Sequence, residues 1–153
     1  MVLPLFDYCA VIRDSCGQGS KSYLDKLNRR AACIIEGRAV KSDALSTGFG
    51  WPHLQACRNF LKSVLVYKCI NGIAPSYLLS EFRHAHQIHS HFTRQRDQLR
   101  LSLAETTKYQ GSFRINGARA YNSLPSNIRS ATNFNTFKFL AKRHFKRQCV
   151  QSL

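Results

Sequence analysis

An apolar stripe at helical period between Trp51 and Pro75 constrains this chain more than any other feature. In WPHLQACRNFLKSVLVYKCINGIAP, Leu54, Cys57, Leu61, Val64 and Leu65 recur at i, i+3, i+7, i+10 and i+11, the spacing of one helix face. Gln55, Asn59, Lys62 and Ser63 fall on other faces. Pro52 suits a first turn, where its missing N–H had no intrahelical partner, and Asn71-Gly72 supplies a left-handed stop before Pro75 opens a new segment. The pattern predicts a buried scaffold helix and contact chemistry rather than bond-making.

Two further stripes flank it. Leu24, Leu27, Ala31, Ile34 and Ile35 repeat the spacing upstream, with Ser22 and Asp25 as a short capping box and Gly37 as the stop. Lys26, Arg29 and Arg30 lie off that stripe as a solvated face. Near the C-terminus Phe134, Phe137, Leu140, Ala141 and Phe145 form the apolar side of an amphipathic helix that begins at Asn133. Lys138, Lys142 and Lys146 make an i, i+4 ladder on it, with Arg143 and Arg147 beside them. Like charges at this spacing repel by roughly 0.2–0.5 kcal/mol per pair, a cost that a polyanion would remove. This face is the best candidate for contacting phosphates.

The shorter elements are read as follows. PSYLLSEF predicts about two turns of helix, with Tyr77, Leu78 and Phe82 packing on the central stripe. LRLSL, Leu99 to Leu103, alternates at period two and predicts a strand, which SFRI, Ser112 to Ile115, would pair with as a small hairpin. NGARAYNSLP predicts a short helix from Asn116 that turns Ala118 and Tyr121 to the core. Arg38 to Gly50 is polar and reads as a loop, and GQGSK lacks the spacing of a phosphate-wrapping loop and reads as a plain turn.

Charge points to a partner. The chain carries 23 Lys and Arg against 8 Asp and Glu, net +15. Residues 1–50 hold 7 basic and 5 acidic side chains, whereas residues 51–153 hold 16 and 3. A field that positive favours a polyanion, and nucleic acid above a membrane surface. Residues 83–100, RHAHQIHSHFTRQRDQLR, add Arg94, Arg96 and Arg100 as candidate phosphate ligands, with Phe92 as a stacking ring. His84, His86, His89 and His91 lie in the same stretch, but no C-x2-C pair accompanies them, so a solvated loop is preferred to a zinc site.

Other classes are disfavoured. No GxSxG, HExxH or C-x2-C motif occurs, and Glu81, Asp97 and Glu105 are too scattered for a general-acid pair. Neither a catalytic centre, a cofactor nor a small-molecule substrate is expected. The six cysteines make a poor disulfide framework; Cys33 and Cys57 fall on or beside apolar stripes, where cysteine acts as a small hydrophobe. No basic residue precedes the apolar opening, which argues against a secretory signal, and VLVY is flanked by Lys62 and Lys68. A reduced, intracellular protein of cytoplasm or nucleus is expected, without a membrane partner.

The motifs in order resemble one family. PLFDYCAVI, LDKLNRRAACIIEG, WPHLQACRNFLKSVLVYKCINGIAPSYL, SFRINGARAYNSLPSNIRSA and FKFLAKR are similar to the C-terminal region of jockey-like non-LTR retrotransposon reverse transcriptases. YKCINGIAPSYL and GARAYNSLPSNIR carry most of the likeness. The family's usual WN ahead of LP is Tyr121-Asn122 here. The resemblance implies an accessory region that follows the polymerase palm and handles template RNA or target DNA. The palm's (F/Y)xDD aspartates have no counterpart, because no DD pair occurs in the chain.

The expected fold is mainly α, a small helical domain with one short β-hairpin. Residues 1–50 would be an apolar segment, helix and polar loop left at the junction with a polymerase domain, and residues 51–153 a basic helical domain. A nucleic-acid-binding accessory region is the leading reading. A structural fragment that packs on an absent polymerase domain comes second, and an independent enzyme or zinc protein last.

Overall fold

A computed structural model describes residues 6–37, 53–87, 97–103 and 105–151. Its helices are α1 (Ala10–Arg13), α2 (Gln18–Glu36), α3 (Leu54–Ile70), α4 (Ser76–Leu79), α5 (Thr107–Gln110), α6 (Phe113–Asn122), α7 (Ser126–Arg129) and α8 (Phe134–Gln151). A 3-10 turn spans Ala85–Gln87. Helix α3 is the hub: α1, α4, α6 and α8 all pack on it.

Local chemistry fixes the ends of α3. The Gln55 N–H donates to His53 Nδ1 at 3.3 Å, which satisfies one orphan donor of the first turn. At the other end Gly72 takes φ 68°. The Ile73 N–H donates to the Lys68 carbonyl and the Gly72 N–H to the Cys69 carbonyl, the paired bonds of a Schellman stop. The predicted Asn71-Gly72 terminus is therefore present; Pro52 lies outside the described residues.

The core is aromatic and sits between the C-terminal half of α3, α6 and α8. The Tyr67 and Phe137 rings stack with centroids 4.1 Å apart, and Tyr121 lies 6.1 Å from Phe137 on its other flank. Burying one such ring stabilises by about 1.5–3 kcal/mol, and a well-placed pair adds about 0.5–1.5. The Tyr67 hydroxyl donates to the chain between α7 and α8, within 2.9 Å of the Ala131 carbonyl and 3.1 Å of that of Thr132. Burial pushes the Tyr121 phenol up to about 12, so it remains a neutral donor, 3.4 Å from the Arg129 carbonyl. Gly117 brings α6 close to α3: a Cβ there would sit 2.9 Å from Phe113 Cε2 and 3.0 Å from Val66 Cγ2.

Four expectations are corrected. The hairpin is absent among the described residues, because SFRI is the start of α6 with Ser112 at its N-cap position. There Phe113 packs edge-on against Phe82, and Ile115 is buried, contacts that helical spacing delivers and a strand would split between faces. The backbone of Leu99 finds its partners elsewhere. Its N–H and carbonyl both pair with the Asn122 carboxamide at 2.9 Å, and a single antiparallel bridge joins it to His84.

Second, the buried face of α3 is not the expected stripe: Leu54 is buried, but Cys57, Leu61, Val64 and Leu65 are only half-buried, while Lys62 and Ser63 point inward with Val66, Tyr67 and Cys69. Lys62 Nζ lies 2.6 Å from Asp14 Oδ2, with both side chains about 95% buried, and Ser63 donates to the Asn59 carbonyl of its own helix. Third, α2 begins at Gln18 with Gly17 at the N-cap position, so Ser22 lies inside the helix and Asp25 pairs with Arg58. Its stripe is not core either: Leu27, Ile34 and Ile35 are exposed, while Asn28 and Ala32 are buried. The ion pairs Lys21–Asp14 and Arg58–Asp25 tether α2 through its Lys21–Asp25 edge. Fourth, α4 is one turn, and Tyr77 faces solvent while Leu78 and Phe82 pack on the core.

Candidate nucleic-acid interface

The basic face is oriented by the apolar one. The Asn135 N–H donates to Asn133 Oδ1 at 2.8 Å, which caps α8 at the predicted residue. Phe137, Ala141 and Phe145 are then buried at i, i+4 and i+8, with Phe134 and Leu140 packed beside them. At 100° per residue that seam leaves Lys138, Lys142, Arg143, Lys146 and Arg147 on the outward arc, and all five are exposed. The face runs from Lys138 to Arg147, about 13 Å along the axis.

Nothing acidic neutralises these cations locally. No Asp or Glu occurs from residue 106 to 153, and none of the five forms an ion pair among the described residues. His144 does not add to the charge at neutral pH, since burial lowers its pKa below the ordinary 6.5. It is half-buried, 3.0 Å from the Gln148 carboxamide nitrogen.

Several other cations serve the fold. Lys62 and Arg58 hold Asp14 and Asp25, Arg114 pairs with Glu81 at 3.2 Å, and Lys68 lies 5.2 Å over the Phe134 ring. Arg129 donates from Nε to the Leu124 carbonyl and from a terminal nitrogen to that of Asp97, tying the chain after α6 to the 97–103 segment. The segments Tyr67–Leu78 and Gly117–Arg129 are structural in the same way. Tyr67, Cys69 and Gly72 in one, and Gly117, Tyr121, Asn122 and Arg129 in the other, build core, stops and clamps.

Of the remaining candidates, Arg100 is exposed on the segment that Asn122 holds. Arg94, Arg96 and Phe92 lie outside the described residues, as do His89 and His91. No group of three His, Cys, Asp or Glu among the described residues is placed to hold a metal ion. An open cleft lined by Arg13, Cys16, Gly19, Ser20, Tyr23 and Leu24 brings no carboxylate or imidazole to converge. No disulfide forms among Cys9, Cys16, Cys33, Cys57 and Cys69; Cys69 is buried, which pushes its thiol up and makes it a poor nucleophile. No described helix is long and apolar enough to cross a membrane.

Phe139 is the residue that stripe reasoning passes over. It is 65% exposed, on the same outward arc as the five cations and one turn ahead of Lys142 and Arg143. Its signal in the sequence is that it stands two residues after Phe137, off the i, i+4, i+8 seam.

No family model, curated protein or solved structure matches the chain.

Proposed function

We propose that this chain is a non-catalytic nucleic-acid-binding region, of the kind that accompanies a retrotransposon RNA-directed DNA polymerase, and that α8 holds RNA or DNA phosphates. The observation that carries the reading is the exposed arc Lys138, Lys142, Arg143, Lys146 and Arg147, formed on a helix whose opposite seam is locked in the core. Structural cations are paired off, whereas these repel one another and gain by meeting a polyanion. Arg100 offers a further exposed cation on a separate segment.

At about 3.4 Å per phosphate, a 13 Å face reaches about four phosphates of a stacked strand. Single-strand affinity should then fall with a log–log salt slope near −3, or about fiftyfold between 50 and 200 mM salt. Fluorescence anisotropy with labelled single strands reads this directly. Lys142→Ala with Lys146→Ala should reduce the slope by about one to two. A double variant with the wild-type affinity and slope sinks the assignment to α8.

A second reading rests on a different observation: Tyr8, Ile12, Tyr23, Ile34 and Ile35 are all more than half exposed on the N-terminal helices. In this reading the chain is a structural fragment whose α1–α2 face packs on a polymerase domain. Co-expression with such a domain should then rescue an aggregating isolated chain. Ile34→Gln with Ile35→Gln should abolish the rescue, and a monodisperse isolated wild type rules the reading out.

A further inference from the structure

We propose that Phe139 is a base-stacking platform, so that the ligand of α8 is single-stranded nucleic acid with unpaired bases; this rests on the phosphate-binding reading above. The ring does not serve the fold. It is 65% exposed, while Phe134, Phe137 and Phe145 of the same helix face the core. Phenylalanine is also a weaker helix former than the lysine and arginine around it, so helix stability does not explain its place.

Its surroundings define what can lie on it. Lys142, Arg143 and Lys146 stand at i+3, i+4 and i+7, all exposed, so cations lie along the ring's C-terminal side, while the exposed residue at i−4 on its other side is the uncharged Asn135. Among the described side chains of that face it is the sole apolar one. A protein-docking patch needs a contiguous apolar area, which one ring beside ammonium and guanidinium groups does not supply. A nucleotide presents what this site lacks: a flat π face for the ring and an anionic phosphate, one repeat away, for Lys142, Arg143 or Lys146. A duplex would satisfy the cations but leave the ring without a base, because its bases already stack on each other.

The test is anisotropy of short labelled oligouridylate, oligothymidylate and a duplex of equal length against the full chain. Phe139→Ala should cost about tenfold on both single strands, leave their salt slopes unchanged, and leave the duplex unaffected. Phe139→Leu, apolar but without a π face, should lose as much as the alanine variant, and Phe139→Trp should retain or gain affinity. Because the side chain is exposed, unchanged far-UV circular dichroism and melting temperature are expected for all three. A Phe139→Leu variant that binds like wild type, or an equal loss on the duplex, overturns stacking while leaving phosphate binding by α8 intact. Failure of the wild type to bind any of the three overturns both.

Discussion

Helices α2 and α8 are near twins in sequence and opposites in the fold. Each is amphipathic, 19 and 18 residues long, with an apolar stripe and cations off it. In α8 the stripe is the inward face: Phe137 and Ala141 are fully buried, and the cations point to solvent. In α2 the stripe is largely outward, and the helix is held by charge, Lys21 on Asp14 and Asp25 on Arg58. The difference teaches that an amphipathic pattern says a helix has an apolar face, not that the face finds its cover. Aromatic partners on α3 and α6 decide the case of α8. On α2 the ion pairs to Asp14 and Arg58 are formed, while Leu27, Ile34 and Ile35 of the stripe stay exposed.

The contrast can be broken first at its stronger end. Phe137→Ala removes the ring stacked on Tyr67 and flanked by Tyr121, and should cost about 3–5 kcal/mol. Urea denaturation reads this as a lower midpoint at similar slope. A loss below about 1 kcal/mol would show that α8 is not anchored by its seam.

The charged end should respond nearly as strongly. Lys62→Met leaves the Asp14 carboxylate buried with only Lys21, 3.3 Å away, and should cost about 3 kcal/mol, the lower end for breaking a buried pair. The same pair makes stability acid-sensitive. Burial raises the Asp14 pKa, but the hydrogen bonds and charges of Lys62 and Lys21 more than offset this, and it lies below the ordinary 3.8. The unfolded chain therefore takes up the proton first as pH falls. Asp14's contribution is whole above about pH 3.8 and is lost on acidification through the lower folded value. Stability measured against pH should fall more gently on that limb in Asp14→Asn than in the wild type; an unchanged limb argues against the ion pair.

The smallest effect is expected on the exposed stripe. Ile34 is 74% exposed, so Ile34→Gln should change stability by no more than about 0.5 kcal/mol. The equivalent exchange on α8, at a buried seam position, would be ruinous. A large loss at Ile34 would mean that α2 is covered and that the comparison is drawn wrongly.

Much of the fold is legible in the residues. The hub helix, its Gly72 stop, the Gly37 stop of α2 and the α8 seam follow from periodicity and from positive φ at glycine. The SFRI segment shows where legibility ends. Four residues with two apolar side chains fit either period, and the decision came from Phe82 and the α3 surface, which lie thirty to fifty residues away in sequence. The α8 cations were legible because the seam fixes their direction. Phe139 was not, since attention to the apolar stripe treats an off-seam aromatic as noise.

The sequence by itself determined the three long helices, the glycine stops of α2 and α3, and that residues 51–153 are strongly basic, because those properties depend on composition or on neighbours within one or two turns. Only the tertiary structure decided what each cation does. Lys62 and Lys142 sit in helices of similar pattern, yet one is buried against Asp14 and the other is exposed. That outcome depends on a carboxylate forty-eight residues away in the chain and within hydrogen-bond reach in space, a relation that no local pattern encodes.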